Sequence, residues 1–366
     1  MAFWLASQRE GQDSDWIQRF DPRFWTVDFP RPMMAALTTP APDALRVDCA
    51  FLTQGDLAGL IWDSTDRLDH PLLSYATDRD YARTTLSFRW RSGGLIPLDG
   101  INGPTLTIEG SDAAGIARTW FVRLWAYASG TPEDAQVILP FSALNAGWQG
   151  DGEAIYPAAI ERLFISLAPP GHVPGSSAAL PAPIDGWAEV SQIRCDGARA
   201  MLEIGDVIVP PHGIALASGY DDAYNQAPAR LIRSARQLGY RGSLLHYVGM
   251  SHFMRLTINA GIAQAITGGD PLCTPARTWH AEWLRLARAA GFRPILSLSY
   301  ELLAQYCPAA WQQRASNGDP ARTGWTPPSA LLSPASAPAM AWLQAVGAAF
   351  AGLMKAAGVA VRFQIG

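Results

Sequence analysis

The sequence predicts a two-domain chain, β first and α/β after: an antiparallel β-sandwich of the jelly-roll kind, then the first half of a (β/α)8 TIM barrel. Three observations carry this. The last third repeats a unit of short apolar run, polar or aromatic tip, alanine-rich helical pattern and closing glycine. The region before it is a series of short strand-like runs punctuated by glycine turns. A proline-, glycine- and serine-rich stretch at 169–183 separates the two.

Residues 1–45 carry Phe3, Trp4, Trp16, Phe20, Phe24, Trp25 and Phe29 among prolines with little periodicity, which predicts an extended arm packed by its aromatics. Residues 46–168 hold the sandwich, with strand-like runs at 60–62, 84–90, 105–109, 119–127, 136–140 and 162–167. Leu86, Phe88 and Trp90 alternate with Ser87 and Arg89, the period of a half-buried strand, and Gly93-Gly94, Asp99-Gly100 and Asn102-Gly103 mark turns. Many short strands with such turns argue for a sandwich. Residues 169–212 are expected to be a linker with connecting strands.

The barrel portion is expected over 213–366. Its strands fall at 213–218, 243–248, 294–298 and 359–365, and its helices at 227–238, 278–290 and 339–357. Gly239, Gly291 and Gly358 stand where helix C-caps belong. Strands separated by helices favour parallel βαβ units; a doubly wound open sheet stays open, although no Gly-x-Gly-x-x-Gly follows the first strand. Because an eight-stranded barrel does not close on four strands, the chain is expected to be incomplete, breaking off after the fourth strand.

Composition narrows the function. The net charge is −4 with no basic cluster, so the counterion-release drive for nucleic-acid binding is missing. No apolar run reaches the roughly 20 residues of a bilayer span, so no membrane span is expected. Charged residues are 16% of the chain, against about 25% in ordinary soluble domains, and surfaces so sparsely charged often belong to assemblies; neutral loops diluting the charge are the bland alternative. Cys49, Cys195, Cys273 and Cys307 form no C-x-x-C pair, so buried free thiols are expected, with no metal and no cofactor.

Barrel chemistry sits at the C-terminal ends of the strands. That rule gathers Tyr220, Asp221, Asp222 and Asn225 after the first strand, His246 and Tyr247 on the second, Tyr300 and Glu301 after the third, and Gln364 on the fourth. Carboxylates and aromatics around one mouth suit glycoside hydrolysis, with Asp221 or Asp222 paired with Glu301 as acid and base or nucleophile. The competing reading is that Asp222 caps a helix or a loop and that His246 and Tyr247 hydrogen-bond it. Trp279-His280-Ala281-Glu282 lacks the second histidine of a zinc-protease helix and is set aside. Trp62, Trp90, Trp120, Trp125 and Trp148 are candidates for stacking on sugars, with burial in the core the more frequent fate of any one. Asp63, Asp66, Asp69 and His70 could ligate calcium, but a solvated turn is the commoner meaning of such a cluster.

These residues also carry a resemblance. Gly219-Tyr220-Asp221-Asp222-Ala223-Tyr224-Asn225-Gln226, then Leu238-Gly239-Tyr240-Arg241-Gly242, then His246-Tyr247-Val248-Gly249-Met250-Ser251-His252 resemble the barrel domain of bacteriophage non-contractile tail sheath proteins, a group similar to barrel-containing tail proteins of gene transfer agents. Ser299-Tyr300-Glu301-Leu302-Leu303, Cys307-Pro308-Ala309-Ala310-Trp311 and Thr323-Gly324-Trp325-Thr326-Pro327-Pro328-Ser329 extend the match. Gly103-Pro104-Thr105-Leu106-Thr107-Ile108-Glu109-Gly110 and Phe164-Ile165-Ser166-Leu167 resemble the sandwich domain of the same group. The resemblance implies a structural subunit of a virion tail, made in the host bacterial cytoplasm, homo-oligomeric, with other tail subunits as partners and a host surface glycan as a further ligand. It also implies a glycosidase-like barrel, whose usual acid/base glutamate would follow the fourth strand, past Gly366. The alternative is a polysaccharide-degrading enzyme with an N-terminal carbohydrate-binding sandwich.

Overall fold

A computed structural model describes residues 10, 12, 16–69, 73–198, 201–203 and 209–365. Two large antiparallel sheets enclose the core of the N-terminal half, beside a two-stranded one, Trp16–Gln18 with Met201–Glu203. One runs, in spatial order, Met34–Ala41, Ala44–Thr53, Ala179–Gly197, Thr84–Gly93, Asp134–Pro140, Ala128–Thr131; the other runs Thr26–Asp28, Ala58–Asp63, Ile160–Leu167, Thr105–Ser111, Ala117–Arg123. The alternation seen at Leu86, Phe88 and Trp90 places all three in the core, where they join Trp62, Leu106, Ile108, Leu163 and Ile165 of the facing sheet. Side chains of period two from both sheets therefore fill one interior.

Three expectations change here. The arm predicted over residues 1–45 belongs, from Arg19 onward, to the domain itself: Phe20, Phe24 and Trp25 are core residues, and Met34–Ala41 is a strand. Phe3 and Trp4 lie outside the described residues. The linker predicted at 169–212 is a docked loop followed by a 19-residue strand, Ala179–Gly197, at the centre of the six-stranded sheet. Loop residue Val173 donates to the Gln54 carbonyl, and Gln54 donates to that of Ala178, so the proline-rich stretch is tied down. Thirdly, the run at 119–127 ends as a strand at Arg123 and continues as a 3-10 turn, Leu124–Tyr127.

The C-terminal half holds a four-stranded parallel sheet, Leu216–Gly219, Ser243–Gly249, Arg293–Leu298 and Phe363–Ile365, whose spatial order is the chain order. Helices α1 (Pro228–Gln237), α2 (Thr274–Ala289) and α3 (Ala337–Ala356) connect successive strands. A doubly wound sheet would reverse direction at a switch point; this order runs one way, as in a barrel. Gly239, Gly291 and Gly358 follow the three helices with positive φ, the left-handed caps read from sequence. A window of α3 with mean hydropathy 1.3 is long and apolar enough, by length and composition, to cross a membrane, which the sequence reading did not anticipate. Alanine and glycine supply much of that value, and α3 sets Trp342, Val346, Phe350 and Met354, each four residues from the last, into the core of this domain.

Strand Met34–Ala41 serves both halves. Ala35 and Leu37 point into the β core while Met34 and Ala36 pack with Trp279, Trp283 and the rest of the second core. Buried polar contacts reinforce the junction. The Glu282 carboxylate on α2 accepts the Thr39 backbone N–H and hydroxyl at 2.9 Å. Arg230 on α1 donates to Asp66 at 2.6 Å and to Asp69 at 2.9 Å, all three side chains being largely buried. Two members of the cluster considered for calcium are thus the acceptors of an arginine from the other domain; His70 lies outside the described residues.

Candidate functional site

Strand register builds the open end of the parallel sheet. Gly219 pairs with Tyr247, Tyr247 with Ser297 and Ser297 with Gln364, so these four form one row across the C-terminal ends. Neighbours one residue earlier point to the opposite face. That parity separates His246 from Tyr247. His246 faces the helices, fully buried between the rings of Trp279 at 5.3 Å and Trp283 at 4.4 Å, with Nδ1 2.9 Å from the Ser218 hydroxyl. Burial, and then the neighbouring His280, hold its imidazole well below the ordinary histidine range, so it is neutral.

Tyr220 also leaves the expected mouth. It is buried with its ring 4.9 Å from Trp279 and 4.4 Å from His280. Asn225 faces the β domain: its carbonyl accepts the Val27 N–H at 3.0 Å, next to a bridge between Thr26 and Gln226. Asp221 turns inward as well. Its Oδ2 accepts the Met250 N–H at 2.8 Å, and its Oδ1 accepts the Ser251 hydroxyl at 3.0 Å and lies 2.9 Å from His252 Nδ1. Burial pushes this carboxyl up, but the His252 hydrogen bond and charge, with the Met250 and Ser251 donors, outweigh it and leave the group below its usual range. Burial likewise brings His252 down to about 4, against the pull of Asp221. The low His252 value leaves the ring neutral with Nδ1 beside the Asp221 carboxylate, and a guanidinium nitrogen of Arg31, from the β domain, lies against both ring nitrogens. Arg31 also donates to Ser251 at 2.8 Å, and Tyr224 stacks on the His252 ring at 3.5 Å.

Asp222, Tyr247, Tyr300, Glu301 and Gln364 remain near the open end. Asp222 is exposed, and its carboxylate lies over Gly219, where an added Cβ would meet Oδ2 at 2.7 Å. Burial raises the Tyr247 phenol, with the nearby Ser299 opposing it, and the Ser299 hydroxyl accepts the Glu301 N–H at 3.0 Å. Glu301 begins a short strand, Glu301–Leu303, paired with Ser329–Leu331, and partial burial raises its carboxyl. Tyr300 and Gln364 are exposed. Sequence reasoning missed His252, Ser251 and Arg31 as a unit. The first two lie in a stretch that was noticed without a role; Arg31 is 220 residues from Ser251, so local pattern could not connect them.

Two antiparallel sheets over one core, joined by buried contacts to a parallel β/α sheet in chain order, define a two-domain protein with a barrel-type second domain. Residues 17–205 match the non-contractile tail sheath N-terminal domain, and residues 210–366 match the non-contractile tail sheath protein TIM barrel. The chain belongs to the non-contractile tail sheath proteins, structural components of phage tails. Among solved structures, a sialidase is similar at 13% identity over 48% of this chain and 17% of its own, with a TM-score of 0.25. An alpha-N-acetylgalactosaminidase from Bifidobacterium bifidum is 11% identical over 92% of this chain and 61% of its own, with a TM-score of 0.26. A GH31 alpha-xylosidase from Xanthomonas citri is 10% identical over 96% and 39%, with a TM-score of 0.22. This chain spans less than two thirds of the length of each.

Proposed function

We propose that this chain is a rigid building block of the virion tail, made in the host cytoplasm and assembled as a homo-oligomer, with a barrel domain used as structure rather than as an enzyme. The observation that carries this reading is the use made of Asp221. A carboxylate at the end of the first barrel strand is consumed by the Met250 N–H, Ser251 and His252, and through His252 it reaches Arg31 of the other domain. Side chains that would face a substrate in an enzyme join two domains here. Leaving aside the four-residue edge strand Ala128–Thr131, the eight strands from Ala44–Thr53 to Ala179–Gly197, numbered in chain order, fall as 1-8-3-6 in one sheet and 2-7-4-5 in the other, which supports a jelly roll. Sparse charge fits burial of much of the surface between subunits. The test is assembly: the protein should self-associate at high concentration and be found in purified particles. A strict monomer that is absent from particles would defeat the proposal.

A second reading rests on Glu301 and Asp222. Both stay at the open end on either side of Tyr247, and desolvation raises the Glu301 carboxyl in the direction a general acid requires. Glycoside hydrolysis of host surface polysaccharide by the protein, abolished by Glu301→Gln and Asp222→Asn, would establish it; equal activity in those variants removes both residues from any mechanism.

A further inference from the structure

The β domain carries a groove of about 500 Å3, outside the barrel end, lined by Asn102, Thr119, Phe121, Arg123, Trp148 and Glu153. Its size is that of small-ligand sites. The five tryptophans considered for stacking divide clearly. Trp62, Trp90 and Trp120 are core and Trp125 packs against it, whereas Trp148 is 50% exposed. Phe121, in the same groove, is 59% exposed.

Trp148 is held in place. The Arg123 guanidinium lies 4.2 Å from the centre of its ring. Arg123 is itself buried and fixed by three carbonyls: Gly103 at 2.6 Å, Leu98 at 2.8 Å, and Gly100. Its Nε has no partner among the described residues, so the cation is incompletely paired beneath the ring. The loop bearing Trp148 is tied to the strand bearing Phe121 by the Gly147 N–H on the Phe121 carbonyl at 3.0 Å, and closed by Ala146 and Glu153 at 2.8 Å. Around the rings stand groups with hydrogen-bonding capacity to spare: the Asn102 amide, the Thr119 hydroxyl, and Glu153, which Arg118 meets at 2.7 Å.

We infer that this groove is a saccharide-binding site, with Trp148 and Phe121 as the platform for a sugar ring and Asn102, Thr119 and Glu153 as partners for its hydroxyls. Sugars are amphipathic in the matching sense. Their axial C–H groups carry partial positive charge that meets the negative face of an aromatic ring, while their equatorial edge needs donors and acceptors. A fixed indole costs little entropy on binding. The inference does not rest on the tail-assembly proposal, because it concerns a site contained within one chain.

Calorimetric titration of the purified 366-residue protein with O-antigen oligosaccharides, and separately with soluble peptidoglycan fragments from host bacteria, tests it. Binding of one set is expected, and which set binds identifies the source of the glycan. Trp148→Ala should weaken that binding at least tenfold and Phe121→Ser and Glu153→Gln severalfold, at unchanged melting temperature, while Trp325→Ala at another exposed indole should leave it intact. Two outcomes would overturn the inference: no binding by either set, or binding unaltered in Trp148→Ala and Phe121→Ser. Loss of self-association in Trp148→Ala without any glycan binding would instead assign the groove to a subunit interface.

Discussion

Asp221 and His252 stand 2.9 Å apart, carboxylate oxygen to Nδ1, on opposite sides of the first gap between barrel strands. That contact orders the loop after the second strand and, through Arg31, fastens it to the β domain. Asp221→Asn is expected to cost about 2 kcal/mol, the range for hydrogen bonds to a charged group, read as a lower denaturant midpoint. Faster proteolysis within residues 249–256 should accompany it.

Gly249 makes this geometry feasible. Its φ is +88°, and an added Cβ would stand 2.1 Å from the Asp221 carboxyl carbon. Gly249→Ala should destabilise by roughly 3 kcal/mol or more, from backbone strain and the clash together. In an Asp221→Gly background the same change should cost less, since only the strain persists; a melting-temperature comparison of the two pairs separates the contributions.

Acid should weaken the barrel domain. Burial brings His280 from 6.5 to about 4, so the folded protein takes up its proton later than the unfolded chain does. Stability from this group is therefore intact above about pH 6.5 and declines as pH falls toward 4, by an amount on the order of 3 kcal/mol. His252, also at about 4, adds in the same direction. Urea midpoints at pH 7.5, 5.5 and 4.5 should fall in that order, and His280→Phe should flatten the trend.

Arg230 sits between Asp66 and Asp69 with its side chain almost wholly buried. Arg230→Met should cost about 3 to 5 kcal/mol, because two carboxylates lose their counter-ion in a buried place. Adding Asp66→Asn and Asp69→Asn should restore much of the loss, as equilibrium unfolding of the four-member set would reveal.

Much of the barrel half could be read from the residues. Its four strands and three helices follow apolar runs closed by Gly239, Gly291 and Gly358, and local pattern suffices where an element has one buried face. Strand Met34–Ala41 escaped because it has two: Met34 and Ala36 belong to one core, Ala35 and Leu37 to another, so hydrophobicity never alternates. Connecting strands were expected within 169–212, but not one as long and central as Ala179–Gly197, because its proline-rich start resembles a loop although its later residues pair on both sides. At the site, strand ends were located but parity was not. His246 and Tyr247 are adjacent in sequence and opposite in space, and no single-residue rule assigns which of them turns to the helices.

The double-faced strand also says something about heredity. The family divides between residues 205 and 210, yet Met34 and Ala36 are as much part of the second core as Trp279 is. A recombination event that exchanged one half for a stranger's would have to bring a matching Met34–Ala41 surface with it. Such a pair is expected to descend together, each half recording substitutions made in the other.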